Sequence, residues 1–247
     1  EKVKVVELPG KEDYVRAELK VNPADVDLEV KTADLTKLSD AAFSYSSSIK
    51  SVTVRYADMT LRKIYASSEG RYIEQEQSYT WLYVWVTGKE GDVMASAREE
   101  LGSTAGYTIF EDRSPEELGR LVAERVVRQL HAKTPKGGAF PAVIAPNVVG
   151  VLVHEAFGHL AEADLALSGT ALTGRLGEQV ASELVTIVDD PTIPGGFGTF
   201  KYDDEGVPAR ATFLIKHGRV YELMVNREYA KLLGQELTGN ARAESFR

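Results

Sequence analysis

The sequence has 247 residues, 43% of them hydrophobic and 27% charged, which is typical of a folded protein with one large domain or two ordinary ones. Its net charge of −8 opposes contact with phosphate backbones, so no nucleic-acid partner is expected. No apolar run approaches the length of about 18 residues that predicts a membrane span. Cysteine is absent, which excludes disulfides and thiolate ligands within these residues and is compatible with the cytoplasmic location that we expect.

The first part of the chain predicts a sheet followed by a helix. In residues 49–95, apolar and polar side chains alternate in runs separated by turn-forming residues, a pattern typical of an antiparallel meander. Ser114 is well placed to cap a helix that starts with Pro115, and Glu117 completes a capping box. Apolar residues then recur at helical spacing, so the helix is predicted to extend to about His131.

A proline- and glycine-rich segment at residues 134–138 marks the predicted boundary between one domain at residues 1–135 and a second at residues 136–247. In the second domain the pattern predicts, in chain order, a buried strand at 141–145, a helix at 148–167 capped by Asn147, a strand at 184–188, a mobile glycine-rich loop at 194–198, a hairpin of residues 209–215 and 219–225, and a short helix after Asn226. The glycine-rich loop lacks the strand–turn–helix context of a nucleotide site, so no nucleotide cofactor is predicted.

The predicted second helix carries the segment HEAFGH at residues 154–159. Its two imidazoles, from His154 and His159, are ligands that suit zinc. A zinc-bound water loses a proton near neutral pH, and the neighbouring carboxylate of Glu155 is placed to take that proton and pass it to a leaving amine. This combination predicts metal-assisted hydrolysis.

The spacing of the two histidines requires a distorted helix. At positions i and i+5 of a regular α-helix their side chains are about 140° apart around the axis, too far to share one ion. A π-bulge adds one residue to the turn and would bring them together. A distortion at Gly158, which has no Cβ, is the alternative. One of the two is predicted between His154 and His159.

The pair could also be coincidental, with one histidine on the surface and the other in the core. The apolar residues 149–153 predict a helix buried nearly all round, and a buried ionisable trio at its end would need partners such as a metal. Glu162, three residues after His159, is expected to orient that histidine or to be a direct ligand, and we favour the first role. Asp164 is interpreted as part of a solvated face.

The segment HEAFGHLAEAD at residues 154–164 resembles the HExxxH signature of the TldD/PmbA family. Similar stretches of this family correspond to GEQVAS at 177–182 with VDD at 188–190, to IYASSEG at 64–70, and to GNAR at 239–242. The resemblance therefore covers most of the chain, and HExxxH is a rarer signature than HExxH.

The resemblance implies an α+β protein, with an α/β N-terminal domain containing the meander and a β-rich C-terminal domain carrying the metal-binding helix. It implies Zn²⁺ held by His154 and His159, Glu155 as general base, and hydrolysis of peptides or unfolded polypeptides. It implies a heterodimer with a TldE/PmbA-like subunit, with self-association as the alternative. The family's third ligand is a cysteine near its C-terminus, so we expect that ligand beyond Arg247 and an incomplete second domain.

Two further interpretations remain open from the residues. In the first, the chain is a non-catalytic assembly or gating subunit of a TldD/TldE-like complex, and the helix around His154 only packs. In the second, the chain binds a metal as a regulator and catalyses no hydrolysis.

Overall fold

The computed structural model describes residues 3–243. Its first half is built on a four-stranded sheet, and the strands are β1 (Lys11–Val15), β2 (Ile49–Ala66), β3 (Arg71–Glu90) and β4 (Val93–Ser103). Strands β2, β3 and β4 form an antiparallel meander, which confirms the prediction. Strand β1 pairs in parallel with the beginning of β3.

Two helices, α1 (Leu28–Ser44) and α2 (Pro115–Leu130), pack on one face of this sheet. Because side chains alternate along a strand, Leu82, Val84 and Val86 of β3 are buried against the helices, while the aromatic residues between them lie on the opposite face. Helix α2 begins with the predicted capping box between Ser114 and Glu117. The first hydrophobic core lies between these layers.

The described residues of the second half contain a smaller sheet and five short helical pieces. Its strands are β5 (Ile187–Asp189), β6 (Thr212–Lys216) and β7 (Arg219–Val220). Its helices are α3 (Pro146–Val153), a π-helical segment (His154–Gly158), a 3-10 turn (His159–Ala161), α4 (Ala163–Leu167) and α5 (Arg227–Leu233). The α+β class is confirmed, the predicted hairpin exists but is shorter, and Asn226 caps α5 as predicted.

Three predicted elements of the second half were wrong in detail. Residues 141–145 form no strand, because no neighbouring strand pairs with this apolar run. The helix predicted at 148–167 starts at Pro146, with Ala145 instead of Asn147 as its cap, and is interrupted at Glu162, where the backbone is extended. The strand predicted at 184–188 is shorter and lies at Ile187–Asp189. The mobility predicted for the glycine-rich loop at 194–198 stays a prediction; the loop contacts the first half through a hydrogen bond from Thr104 N to Gly195 O (3.2 Å) and through Phe197, which packs against Tyr79.

Side chains of the sheet hold the two halves together. Gln75 is 1% exposed, and its Oε1 accepts hydrogen bonds from the backbone N–H groups of Lys201 and Tyr202, both 2.9 Å. Arg227 at the start of α5 pairs with Glu69 after β2.

The outer ends of the two predicted domains, residues 1–2 and 244–247, lie outside the described residues. Within the residues that are described, no helix is long and apolar enough to cross a membrane.

Candidate metal centre

The helix that carries the candidate ligands changes its pitch at the ligands themselves. Helix α3 is regular to Val153, and residues His154–Gly158 then form a π-helical turn in which the backbone N–H of His159 donates to the carbonyl of His154. The predicted π-bulge is confirmed. Gly158 has ordinary helical angles (φ −54°, ψ −55°), so the alternative distortion at this glycine is not used. The wider turn compensates for the extra residue between the histidines.

The π turn brings the two histidine rings together. Their centroids are 4.6 Å apart with an angle of 71° between the ring planes. One ligand atom each from His154, Glu155 and His159 lies within 4.8 Å of the others. The distance from Glu155 Oε2 to His159 Nε2 is 3.9 Å. Two imidazoles and a carboxylate at this separation form a donor set that suits a divalent transition metal.

Glu162 contacts His159 from the side away from Glu155. Its Oε1 lies 2.8 Å from His159 Nδ1, and an ionised carboxylate only accepts, so Nδ1 carries the proton in this contact. The lone pair of His159 is then on Nε2, the atom that faces Glu155. Metal-binding histidines commonly have such a partner on the other ring nitrogen, and it fixes both tautomer and ring orientation.

The backbone around Glu162 is fixed by hydrogen bonds with the chain around Met224. Met224 N donates to Ala161 O (2.9 Å), and Ala163 N donates to Met224 O (3.0 Å), so this short segment pairs with the chain between β7 and α5. Ala161 and Ala163 are buried in the second hydrophobic core. This support was not predictable from the sequence, because no local pattern around Met224 indicates its partner.

The site is exposed, and the predicted burial of its helix was wrong. His154, Glu155 and His159 are all exposed, and Val151 of α3 is 62% exposed. Helix α3 has no buried residue, because none of its side chains joins either hydrophobic core of the described residues. These exposed side chains can be hydrated by water, so burial does not require them to have partners. The case for a metal rests on the convergence of the donors.

Asp164 and the two remaining histidines, His131 and His217, lie outside this cluster. Asp164 Oδ1 accepts from the backbone N–H of Leu165 (2.9 Å), in agreement with a local role. His131 ends α2 and lies 2.9 Å from Glu90. His217 occupies the turn between β6 and β7 with a φ of 49°.

Fold and site together define an α+β protein with a cluster of two histidines and a carboxylate whose donor atoms suit a metal ion. Two family models, described as the PmbA/TldA metallopeptidase central domain and the PmbA/TldA metallopeptidase C-terminal domain, match residues 21–130 and 137–247. The chain belongs to the PmbA/TldD family.

Relatives of known name agree with this membership. A metalloprotease of Methanothermobacter thermautotrophicus is 43% identical, over 87% of this chain and 48% of its own length. A zinc metalloprotease TldD homolog of Saccharolobus solfataricus is 37% identical, over 100% of this chain and 55% of its own length. The chain therefore spans about half the length of the curated relatives it matches.

Solved structures share the fold. A candidate modulator of a DNA gyrase from Thermotoga maritima superimposes with a TM-score of 0.81 at 24% identity, over 98% of this chain and 56% of its own. TldE from Thermococcus kodakarensis superimposes with a TM-score of 0.72 at 22% identity, over 100% of this chain and 54% of its own. At these identities the likeness concerns the fold alone.

Proposed function

We propose that the chain is the catalytic part of a zinc-dependent peptidase that hydrolyses peptides or unfolded polypeptides. The observation that carries the proposal is the π turn, which brings His154, Glu155 and His159 within 4.8 Å of one another. The name of the Saccharolobus relative, a zinc metalloprotease, supports zinc as the metal.

In the proposed reaction His154 and His159 would hold the ion, and Glu162 keeps the proton of His159 on Nδ1 so that Nε2 can bind. Zinc, when bound, polarises a carbonyl and lowers the pKa of a bound water to about 7. Glu155 acts as the general base. Its carboxylate takes a proton from the attacking water and returns it to the nitrogen of the peptide bond as that bond breaks. The products are a carboxylic acid and an amine.

For the whole assembly we propose a heterodimer with a TldE/PmbA-like subunit, with self-association as the alternative outcome. The support is the family membership together with the similar fold of TldE from Thermococcus kodakarensis. Sedimentation of the protein alone and with such a subunit separates the two arrangements.

The test of the peptidase combines zinc content with peptide turnover in the full-length protein. We expect zinc in equimolar amount, its loss in His154→Ala, and retained zinc with turnover lowered by about 10²-fold or more in Glu155→Gln. Glu183→Gln, an exposed glutamate outside the site, is the matched control and should change neither measurement.

The possible failures lead to different conclusions. Zinc-free wild-type protein would overturn the proposal in favour of the non-catalytic assembly subunit. Unchanged turnover in Glu155→Gln would remove the role given to that carboxylate. Zinc without turnover of any peptide in the wild type would favour a metal-binding regulator.

A further inference from the structure

An extended segment of three residues, 223–225, holds the backbone next to the candidate metal centre. Its middle residue, Met224, pairs with the chain at Glu162. Met224 N donates to Ala161 O (2.9 Å), and Met224 O accepts from Ala163 N (3.0 Å). In extended backbone, the main-chain groups of successive residues point to opposite edges. The groups of the two flanking residues therefore face away from Glu162 and need other partners.

Two side chains supply these partners in the place of a neighbouring strand. Thr238 Oγ1 accepts from Val225 N (2.9 Å) and donates to Val225 O (3.0 Å). Gln235 Oε1 accepts from Leu223 N (3.2 Å), and Gln235 Nε2 donates to Leu223 O (2.7 Å). Within the described residues, no strand pairs along this edge of the segment. All four main-chain groups of the flanking residues are thus paired with side chains.

Thr238 is itself fixed in place. It is 0% exposed, and it directly precedes residues 239–242, a stretch that resembles the TldD/PmbA family and has no part in the proposed reaction. Gly239 has a φ of 72°, and a Cβ there would lie 2.5 Å from a carbonyl oxygen of the neighbouring chain, so glycine is required. Asn240 Nδ2 donates to Asp189 Oδ2 (2.7 Å), in another of the similar stretches. These contacts fix the backbone that carries Thr238.

The other end of this series of contacts is a candidate metal ligand. Glu162 Oε1 lies 2.8 Å from His159 Nδ1, and a displacement of about 1 Å would break this hydrogen bond. Because the chain at Glu162 is hydrogen-bonded to Met224, the position of the carboxylate depends on where residues 223–225 lie. The imidazole of His159 is therefore sensitive to the side chains that hold this segment.

We infer that Thr238 and Gln235 are positioning residues that hold His159 in its metal-binding form. They act through the backbone of residues 223–225 and the carboxylate of Glu162, and neither belongs to the cluster of donor atoms. Without either side chain, main-chain groups of the segment lose their partners, and the segment must shift to satisfy them. Glu162 then no longer keeps the proton of His159 on Nδ1. The inference rests on the proposed function in taking His159 as a zinc ligand.

The first test needs neither metal nor turnover. Nitrogen NMR of isotope-labelled histidines in the metal-free, full-length protein at alkaline pH reports which ring nitrogen of His159 carries the proton. We expect the proton on Nδ1 in the wild type and a mixture of both tautomers in Thr238→Val and in Gln235→Met. Thr238→Ser keeps the hydroxyl and should restore the wild-type spectrum. The signals are assigned by their loss in His159→Gln.

Thr80→Val is the matched control for a loss of stability. Thr80 is a 0% exposed threonine of the first half, and its hydroxyl donates to the carbonyl of Gly106 at 2.8 Å. This variant loses a buried hydrogen bond as Thr238→Val does, yet it should leave the tautomer of His159 unchanged. A mixture of tautomers in the control as well would assign the effect to general destabilisation and overturn the inference.

Zinc affinity is the second measurement, made by competition with a chromophoric chelator. We expect it to fall by about threefold to tenfold in Thr238→Val and in Gln235→Met, and to recover in Thr238→Ser. Unchanged affinity in the first two variants would contradict the inference. So would a proton that stays on Nδ1 of His159 in both variants, or one that lies on Nε2 in the wild type.

The outcome is separable from that of the peptidase. A wild type that binds no zinc would contradict the peptidase, while the NMR spectra of the metal-free protein would still decide whether Thr238 and Gln235 hold His159. Zinc affinities and tautomers as expected, without turnover of any peptide, would support the inference and contradict the peptidase alone. Normal turnover with wild-type tautomers in Thr238→Val and Gln235→Met would contradict only the inference.

Discussion

Glu162 contacts the candidate ligand His159 through a hydrogen bond. Through this bond Glu162 would control metal affinity without binding the metal itself. The Glu162 backbone is extended, and its side chain caps no helix, so changing it removes only this contact. We expect Glu162→Ala to lower zinc affinity by about 10–100-fold, because the ring of His159 then loses its fixed tautomer and orientation.

Zinc affinity of this variant is measured by competition with a chromophoric chelator. Asp164→Asn is the matched control, because Asp164 bonds only its neighbouring backbone and should leave the affinity unchanged. Equal affinities of Glu162→Ala and wild type would show that the 2.8 Å contact has no role in metal binding.

Asp203 predicts a pH dependence of stability. Burial raises its pKa to about 6, against the lowering effect of hydrogen bonds from the backbone N–H groups of Val207, Ala241 and Glu205. The folded state therefore holds this proton up to a higher pH than the unfolded chain does. Consequently the free energy of unfolding should fall as the pH rises from about 4 to about 6, by at most about 3 kcal/mol.

Urea unfolding at several pH values between 4 and 7 tests this expectation. In Asp203→Asn the titrating group is gone, so its stability relative to wild type should rise across the same window. Asp190 is a suitable comparison, because the Thr192 hydroxyl lowers the pKa of its carboxyl. Parallel pH profiles of Asp203→Asn and wild type would contradict the assignment.

Among the elements, the π turn is where chemistry and local structure agree most closely. The π turn was predictable because two ligands five residues apart can share an ion only if the helix widens. Ser114 was predictable as a helix cap because its hydrogen-bond partners lie within one turn. The absence of a strand at 141–145 was not predictable, since an apolar run becomes a strand only if a distant partner pairs with it.

The exposure of α3 has the same physical cause. Its valines made burial the natural expectation, but burial is a property of contacts between distant segments, and the described residues provide none of them. The support of Glu162 by Met224 and the parallel pairing of β1 with β3 also depend on distant segments, which local patterns do not contain. Local capping and motif spacing were therefore predicted more reliably than packing.

The glycine of the π turn gives an element-scale prediction. A Cβ at Gly158 would lie 3.8 Å from its nearest neighbours, His154 Nδ1 and Val153 O, and the backbone angles are helical. Gly158→Ala should keep zinc affinity within about threefold and leave stability unchanged or raised by about 0.5–1 kcal/mol.

The contrasting glycine lies in α2. A Cβ at Gly119 would be 2.2 Å from Leu38 O, so Gly119→Ala should destabilise the fold by about 1–3 kcal/mol because α1 must move away. Thermal unfolding of the two variants and zinc titration of Gly158→Ala check both statements. A large loss of zinc affinity in Gly158→Ala would mean that the turn needs the freedom of glycine after all.

At the scale of the whole molecule, the second half of the chain lies against the first through polar contacts from the sheet. Lys63 pairs with Asp204, and Arg71 donates to the carbonyls of Pro9 and Gly206. Tyr202, which is 1% exposed, donates its hydroxyl to Asp13 at 2.6 Å. These contacts surround Gln75 and fix the segment at residues 202–206 against the sheet.

Gln75 is therefore the residue at which the coupling of the two halves is best measured. Its amide makes three hydrogen bonds with backbone groups of Lys201 and Tyr202, two as acceptor and one as donor. Gln75→Met has a similar shape but leaves two backbone N–H groups without acceptors, so the free energy of unfolding should fall by about 2–4 kcal/mol. Gln77→Met removes a 3.1 Å bond to Thr199 O and a long 3.5 Å bond from Gln75 Nε2 at a less buried position, and it should cost clearly less. Guanidinium unfolding is monitored with two probes. Tryptophan fluorescence reports the first half, and far-ultraviolet circular dichroism reports the secondary structure of the whole chain. If the halves unfold as one unit, both probes shift together in Gln75→Met, whereas an unshifted fluorescence transition would show that the first half does not depend on this contact.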